Sequence, residues 1–112
     1  MSDNLENGTW ITPHAGRTPS MSVRRCRLEV VAGPDTGTIV ELAQPAMVIG
    51  RAGGTADLAL NDPKVSGLHC ELRLEAGGYR LRDLSSTNGT FVRGVRLIEA
   101  YLAPGSTIAV GK

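Results

Sequence analysis

Leu68-His69-Cys70-Glu71-Leu72-Arg73-Leu74-Glu75 is the stretch on which the fold class turns. Leu68, Cys70, Leu72 and Leu74 alternate with His69, Glu71, Arg73 and Glu75. A period of two predicts a strand with one buried and one wet face, as an antiparallel sheet requires. Gly77-Gly78 predicts a tight turn, and Tyr79-Arg80-Leu81-Arg82-Asp83-Leu84 the returning strand.

The same grammar extends in both directions. Upstream, Arg27 to Ala32 alternates and is β-rich, Gly33-Pro34-Asp35-Thr36-Gly37 is dense in turn residues, and Thr38 to Leu42 returns. Met47-Val48-Ile49 is a short apolar strand delivering Gly50-Arg51, and Asp57 to Leu60 is a brief extended segment. Downstream, Thr90-Phe91-Val92, Val95-Arg96-Leu97 and Thr107 to Val110 read as short strands around Arg93-Gly94 and Pro104-Gly105 turns. No long window keeps a helical stripe. Short strands with turns every 8 to 12 residues predict an all-β sandwich or barrel. Residues 1–22 are rich in Ser, Thr, Asn, Gly and Pro and show no period, so they are expected to be a flexible tail, with the domain occupying 23–112. Trp10-Ile11 is the one sticky spot in that tail, and Thr9, Thr12 and Thr18 are candidate phosphorylation sites the domain could bind. The stop at Gly111-Lys112, directly after a strand, leads us to expect a piece of a longer protein.

The totals limit the function classes. A chain of 112 residues has room for one modest core. Twelve basic against 11 acidic side chains leave a net charge of +1. No field of that size draws in bulk nucleic acid or a membrane surface, so any anion recognition must be local. The apolar runs are too short to span a bilayer and no secretory signal is evident, so a cytoplasmic setting is expected. Cys26 and Cys70 form no C-x-x-C pair, and Cys70 sits in the apolar register of its strand, as a buried reduced thiol would.

Three turn-rich segments hold the chemistry: Gly50-Arg51, Ser66-Gly67-Leu68-His69 and Ser86-Thr87-Asn88-Gly89. Guanidinium, hydroxyl and freed backbone N–H groups are what an anion pocket needs. Asn88-Gly89 suits backbone that must visit positive φ. Ser66 and His69 lack a third partner and a nucleophile elbow, so no catalytic residue is assigned. His69 is instead expected to fix the loop's shape by hydrogen bonding. His14 and His69 are far apart and the carboxylates are scattered, so neither a metal nor a cofactor is expected.

Val48-Ile49-Gly50-Arg51, Val65-Ser66-Gly67-Leu68-His69-Cys70 and Asp83-Leu84-Ser85-Ser86-Thr87-Asn88-Gly89-Thr90, in that order, resemble the forkhead-associated (FHA) domain over residues 27–111. The resemblance implies a β-sandwich of about eleven short, mostly antiparallel strands with ligand-binding loops at one end. It also implies a non-enzymatic module that binds phosphothreonine in a partner protein. Arg51 would pair with the phosphate, Ser66 would donate its hydroxyl to it, Thr87 would sit beside it, and Asn88 would grip the peptide backbone. Gly50, His69 and Gly89 would hold loop shapes, and Lys64 would tune selection of a flanking residue. Gly67 departs from the family, which usually has a polar side chain there, leaving only backbone for the ligand. The expected context is the sensory part of a larger, possibly transcriptional, regulator. The alternative is a phosphate-independent interaction domain on the same fold.

Overall fold

The computed structural model describes residues 8–16, 25–42, 44–75, 78–103 and 105–111. Among these described residues, eleven strands form two packed sheets. They are β1 (Thr9–Gly16), β2 (Arg25–Ala32), β3 (Ile39–Leu42), β4 (Ala46–Arg51), β5 (Leu58–Leu60), β6 (Cys70–Glu75), β7 (Gly78–Asp83), β8 (Thr90–Val92), β9 (Val95–Leu97), β10 (Glu99–Leu102) and β11 (Ile108–Val110). One sheet has the order β3-β2-β1-β11-β8-β9, the other β10-β7-β6-β4-β5. All pairings are antiparallel except β4 with β5. This is the all-β sandwich that the alternation predicts.

The β6–β7 hairpin shows why the alternation works. Leu72 faces Leu81, and Cys70 and Tyr79 join them inside, while Glu71, Arg73 and Arg80 stay wet enough for ion pairs. Ile11, Leu28 and Val30 from one sheet meet Ile49, Leu72 and Leu81 from the other, all fully buried. Burying each such side chain contributes about 1.5–3 kcal/mol. At the β8–β9 turn Arg93 and Gly94 take φ of 53° and 78°, the two successive positive values that a two-residue hairpin needs.

Two expectations need correction. The domain does not wait until residue 23. Thr9–Gly16 is a strand inside the first sheet, with β2 on one side and β11 on the other. The cause is burial. Trp10 is 7% exposed, Ile11 is fully buried, and Thr9 donates from Oγ1 to Asp62 Oδ2 at 3.0 Å in the interior. Six polar and small residues around that pair hide the period. The rest of the expected tail, including Thr18, lies outside the described residues, as does Gly77. Second, Leu68 does not join the buried face of β6, which begins at Cys70. Leu68 is 51% exposed, because the chain ahead of Cys70 is pulled into a loop by the buried His69. One strand carried no expectation at all: β10 has no clean alternation, and Ile98 just before it is 84% exposed. It is held as a strand by its register with β7, Glu99 to Leu102 against Arg82 to Tyr79.

Candidate functional site

The three predicted segments meet at one end of the sandwich. β4 ends at Arg51, whose backbone N–H donates to Ser66 O at 2.9 Å. That contact is close because Gly50 has no side chain. A Cβ there would lie 2.0 Å from Gly67 O, so the strand and the loop could not approach with any other residue. Ser66 Oγ in turn accepts the N–H of Thr87 at 3.0 Å, and Asn88 Nδ2 donates to Lys64 O at 2.8 Å. The loop between β5 and β6 is thereby stitched to the loop between β7 and β8.

His69 is the interior rivet. Its Nδ1 accepts the N–H of Ser66 at 3.0 Å, which fixes the proton on Nε2, and Nε2–H donates to Gly89 O at 2.8 Å. One buried ring thus ties the Ser66 loop to the Asn88-Gly89 turn. Burial pushes its pKa below the ordinary histidine value, against the opposing effects of the Gly89 carbonyl and the charges of Asp83 and Asp62. The neutral tautomer the network requires is the one burial favours.

The second loop has its own frame. Asp83 accepts from Ser86 N at 3.0 Å, from Ser86 Oγ, and from Thr90 Oγ1 at 2.7 Å. Burial raises its pKa, but the bonds from Ser86 and Thr90 outweigh that and hold it below the usual carboxylate range. Ser86 Oγ also accepts Gly89 N–H at 3.0 Å, closing a tight turn in which Gly89 has φ +92° and Ser85 φ 58°. Asp83, Ser86 and Thr90 were within the recognised motif, yet no role had been read for them. A carboxylate three residues ahead of a serine is the sign that was available. Asp62 was missed too. It is buried and accepts from Thr9 Oγ1 and from Lys64 N at 3.0 Å, anchoring the first loop from below.

What remains pointing outward is what an anion needs. Arg51 is exposed, and among the described residues its guanidinium meets only Pro63 O, at a marginal 3.5 Å. Ser66 uses an oxygen lone pair on Thr87, so its O–H is left to donate. Asn88 spends one N–H on Lys64 and keeps its carbonyl. Gly67 is exposed with open space around the missing side chain. Cys70, fully buried, has its pKa pushed up to about 12, mainly by burial, and is an inert core thiol. Among the described residues no group of His, Cys, Asp and Glu could hold a metal ion, and no helix is long and apolar enough to cross a membrane.

Comparison with known proteins places this geometry. The family model described as "Inner membrane component of T3SS, cytoplasmic domain" matches residues 29–112. The glycogen accumulation regulator GarA of Mycolicibacterium smegmatis is 39% identical over 85 residues, covering 76% of this chain and 53% of that protein. The oxoglutarate dehydrogenase inhibitor of Corynebacterium glutamicum is 30% identical, covering 96% and 75%. The chain therefore spans about half the length of the first relative and three quarters of the second. A structure solved in work on phosphothreonine-dependent FHA domain interactions superposes with a TM-score of 0.63 at 31% identity, covering 92% of this chain and 88% of that one. The FhaA FHA domain complexed with the intracellular domain of Rv3910 gives 0.62 at 31% identity, covering 90% and 91%.

Proposed function

The chain belongs to the forkhead-associated family, and from that premise we propose that it is a phosphothreonine-reading interaction module with no catalytic role of its own. The observation that carries the reading is the state of Ser66. Its oxygen accepts Thr87 N–H while its hydroxyl donates to none of the described residues, and the backbone of Arg51 is bonded to its carbonyl. A phosphate ester brings close to two negative charges and three acceptor oxygens. Arg51 supplies the charge, Ser66 the hydroxyl donor, Thr87 a side chain beside it, and Asn88 the amide that holds the peptide backbone. Gly67 contributes only its backbone, and Lys64 and its neighbours select flanking residues. Charge-assisted bonds contribute on the order of 1.5–3 kcal/mol each, enough for useful affinity from a protein of almost no net charge.

Gly50, His69 and Gly89 serve the site without touching ligand. The names of the relatives, a glycogen accumulation regulator and an oxoglutarate dehydrogenase inhibitor, favour a regulator acting on metabolic enzymes over a transcriptional one. The full protein then uses this unit as its sensing part. The setting is cytoplasmic, where a buried reduced thiol such as Cys70 is at home. Titration of a degenerate phosphothreonine peptide library, beside its unphosphorylated twin, tests the reading. Saturable binding of the first alone is expected; equal binding of both refutes it.

A second reading has one observation in its favour. Val95, Ile98 and Tyr101 lie 60%, 84% and 65% exposed along the β9–β10 corner, an apolar surface remote in sequence from Arg51. A phosphate-independent partner would use that face.

A further inference from the structure

Arg96 was no part of the recognised motif, yet it reaches the rim. It sits on β9 opposite Phe91, and its side chain folds back over Gly89. A Cβ built on Gly89 would lie 2.8 Å from Arg96 Nε, 3.1 Å from Arg96 Cζ and 3.0 Å from Phe91 Cε1. The guanidinium therefore rests on bare glycine backbone, one residue along from Asn88. That packing limits its freedom and holds a fixed cation beside the amide proposed to bind the peptide. Lys64 flanks Asn88 from the other loop, through its carbonyl.

The carboxylates built into the two loops are spent internally: Asp62 on Thr9 and Lys64 N–H, Asp83 on Ser86 and Thr90. On the outer sheet face, Arg73 pairs with Glu71, and Arg80 with Glu75 and Glu99. Among the described residues Arg96 has no carboxylate within ion-pair distance, although it is exposed.

We propose that Arg96 forms a second anion subsite of the rim, reading an acidic side chain that flanks the phosphothreonine on the Gly89 side. The assignment rests on the phosphopeptide reading above and adds to it the class of ligand: a phosphothreonine segment with a nearby Asp or Glu. Gly89 then has two duties. It takes a positive φ of 92°, and its missing side chain is the seat on which the guanidinium lies.

The test is a double-mutant cycle between protein and peptide. A phosphothreonine peptide with neutral flanks is compared with versions carrying one Glu, moved through each position on either side. Wild type and Arg96→Gln are titrated against all of them. Wild type is expected to bind one acidic version about threefold to fivefold more tightly than the neutral peptide, the size of an exposed ion pair. Arg96→Gln should lose that preference while binding the neutral peptide as wild type does, Arg96→Lys should keep part of it, and raised salt should erase it. A preference unchanged in Arg96→Gln at every position overturns the assignment, and so does an equal loss for neutral and acidic peptides, which would mean that Arg96 only supports the loop. Failure of all phosphopeptides to bind wild type overturns the phosphopeptide reading itself, and the subsite with it.

Discussion

Replacing His69 by alanine should take the site apart from the inside. The substitution removes the acceptor for Ser66 N–H and the donor to Gly89 O, both bonds being 3.0 Å or shorter. The ring is completely buried, so neither group gains water in exchange. Each orphaned buried group costs about 1–3 kcal/mol, and the imidazole-sized hole adds to that. Together they give a loss of about 3–5 kcal/mol, a large part of the stability of a domain this size. At roughly 4–8 °C per kcal/mol for such a domain, thermal unfolding followed by circular dichroism should move down by well over ten degrees. His69→Asn, whose Oδ1 stands close to where Nδ1 does, should keep the Ser66 bond and recover part of the loss. The pH dependence carries the same signature. Because burial lowers the folded-state pKa of His69, the unfolded chain binds the proton more readily. Stability is therefore complete above about pH 6.5 and falls as pH drops from there toward the lowered folded value. The slope cannot exceed about 1.4 kcal/mol per pH unit for this one group, and it should vanish in His69→Asn. A loss below about 1 kcal/mol in His69→Ala, or an identical pH slope in wild type and His69→Asn, would refute the rivet.

Gly67→Arg should tighten phosphopeptide binding about fivefold to tenfold in a fluorescence titration with little change in unfolding midpoint, since nothing lies within 4 Å of the added Cβ and a charge-assisted bond is gained. Gly50→Ala should do the reverse: its Cβ would fall 2.0 Å from Gly67 O, so urea unfolding should show a loss of about 2–4 kcal/mol, and Gly54→Ala, where the nearest atom is 3.7 Å away, should be near neutral. Thr9→Val keeps the shape of β1 but strips the buried Asp62 carboxylate of one donor, and should cost about 1–3 kcal/mol by the same assay.

The sandwich was legible wherever a strand has one wet face. The β6–β7 hairpin, with Leu72 across from Leu81, could be read directly, as could β2, β4 and β11. What could not be read was structure imposed by neighbours. β1 is held by its two flanking strands and by the Thr9–Asp62 bond across 53 residues, and nothing in Thr9-Trp10-Ile11-Thr12 announces that partner. β10 is likewise a strand through β7 rather than through its own pattern. At the candidate site, Arg51, Ser66, Thr87 and Asn88 could be singled out because their residue types suit an anion and their order resembles a known family, and the structure brings their segments together. The carboxylates Asp62 and Asp83 were overlooked because their work is done on backbone and hydroxyl groups, which leaves no charge pattern in the sequence. Arg96 was overlooked because its position depends on a hairpin turning it back across a glycine.

Chemical-shift mapping of the amide resonances during titration with a phosphothreonine peptide goes most directly to the central claim. The account predicts that the largest shifts fall on Arg51, Ser66, Gly67, Thr87 and Asn88, and that Arg51→Ala abolishes them while leaving the fold intact. Shifts gathered instead at Val95, Ile98 and Tyr101, or shifts that persist at full size in Arg51→Ala, would contradict it.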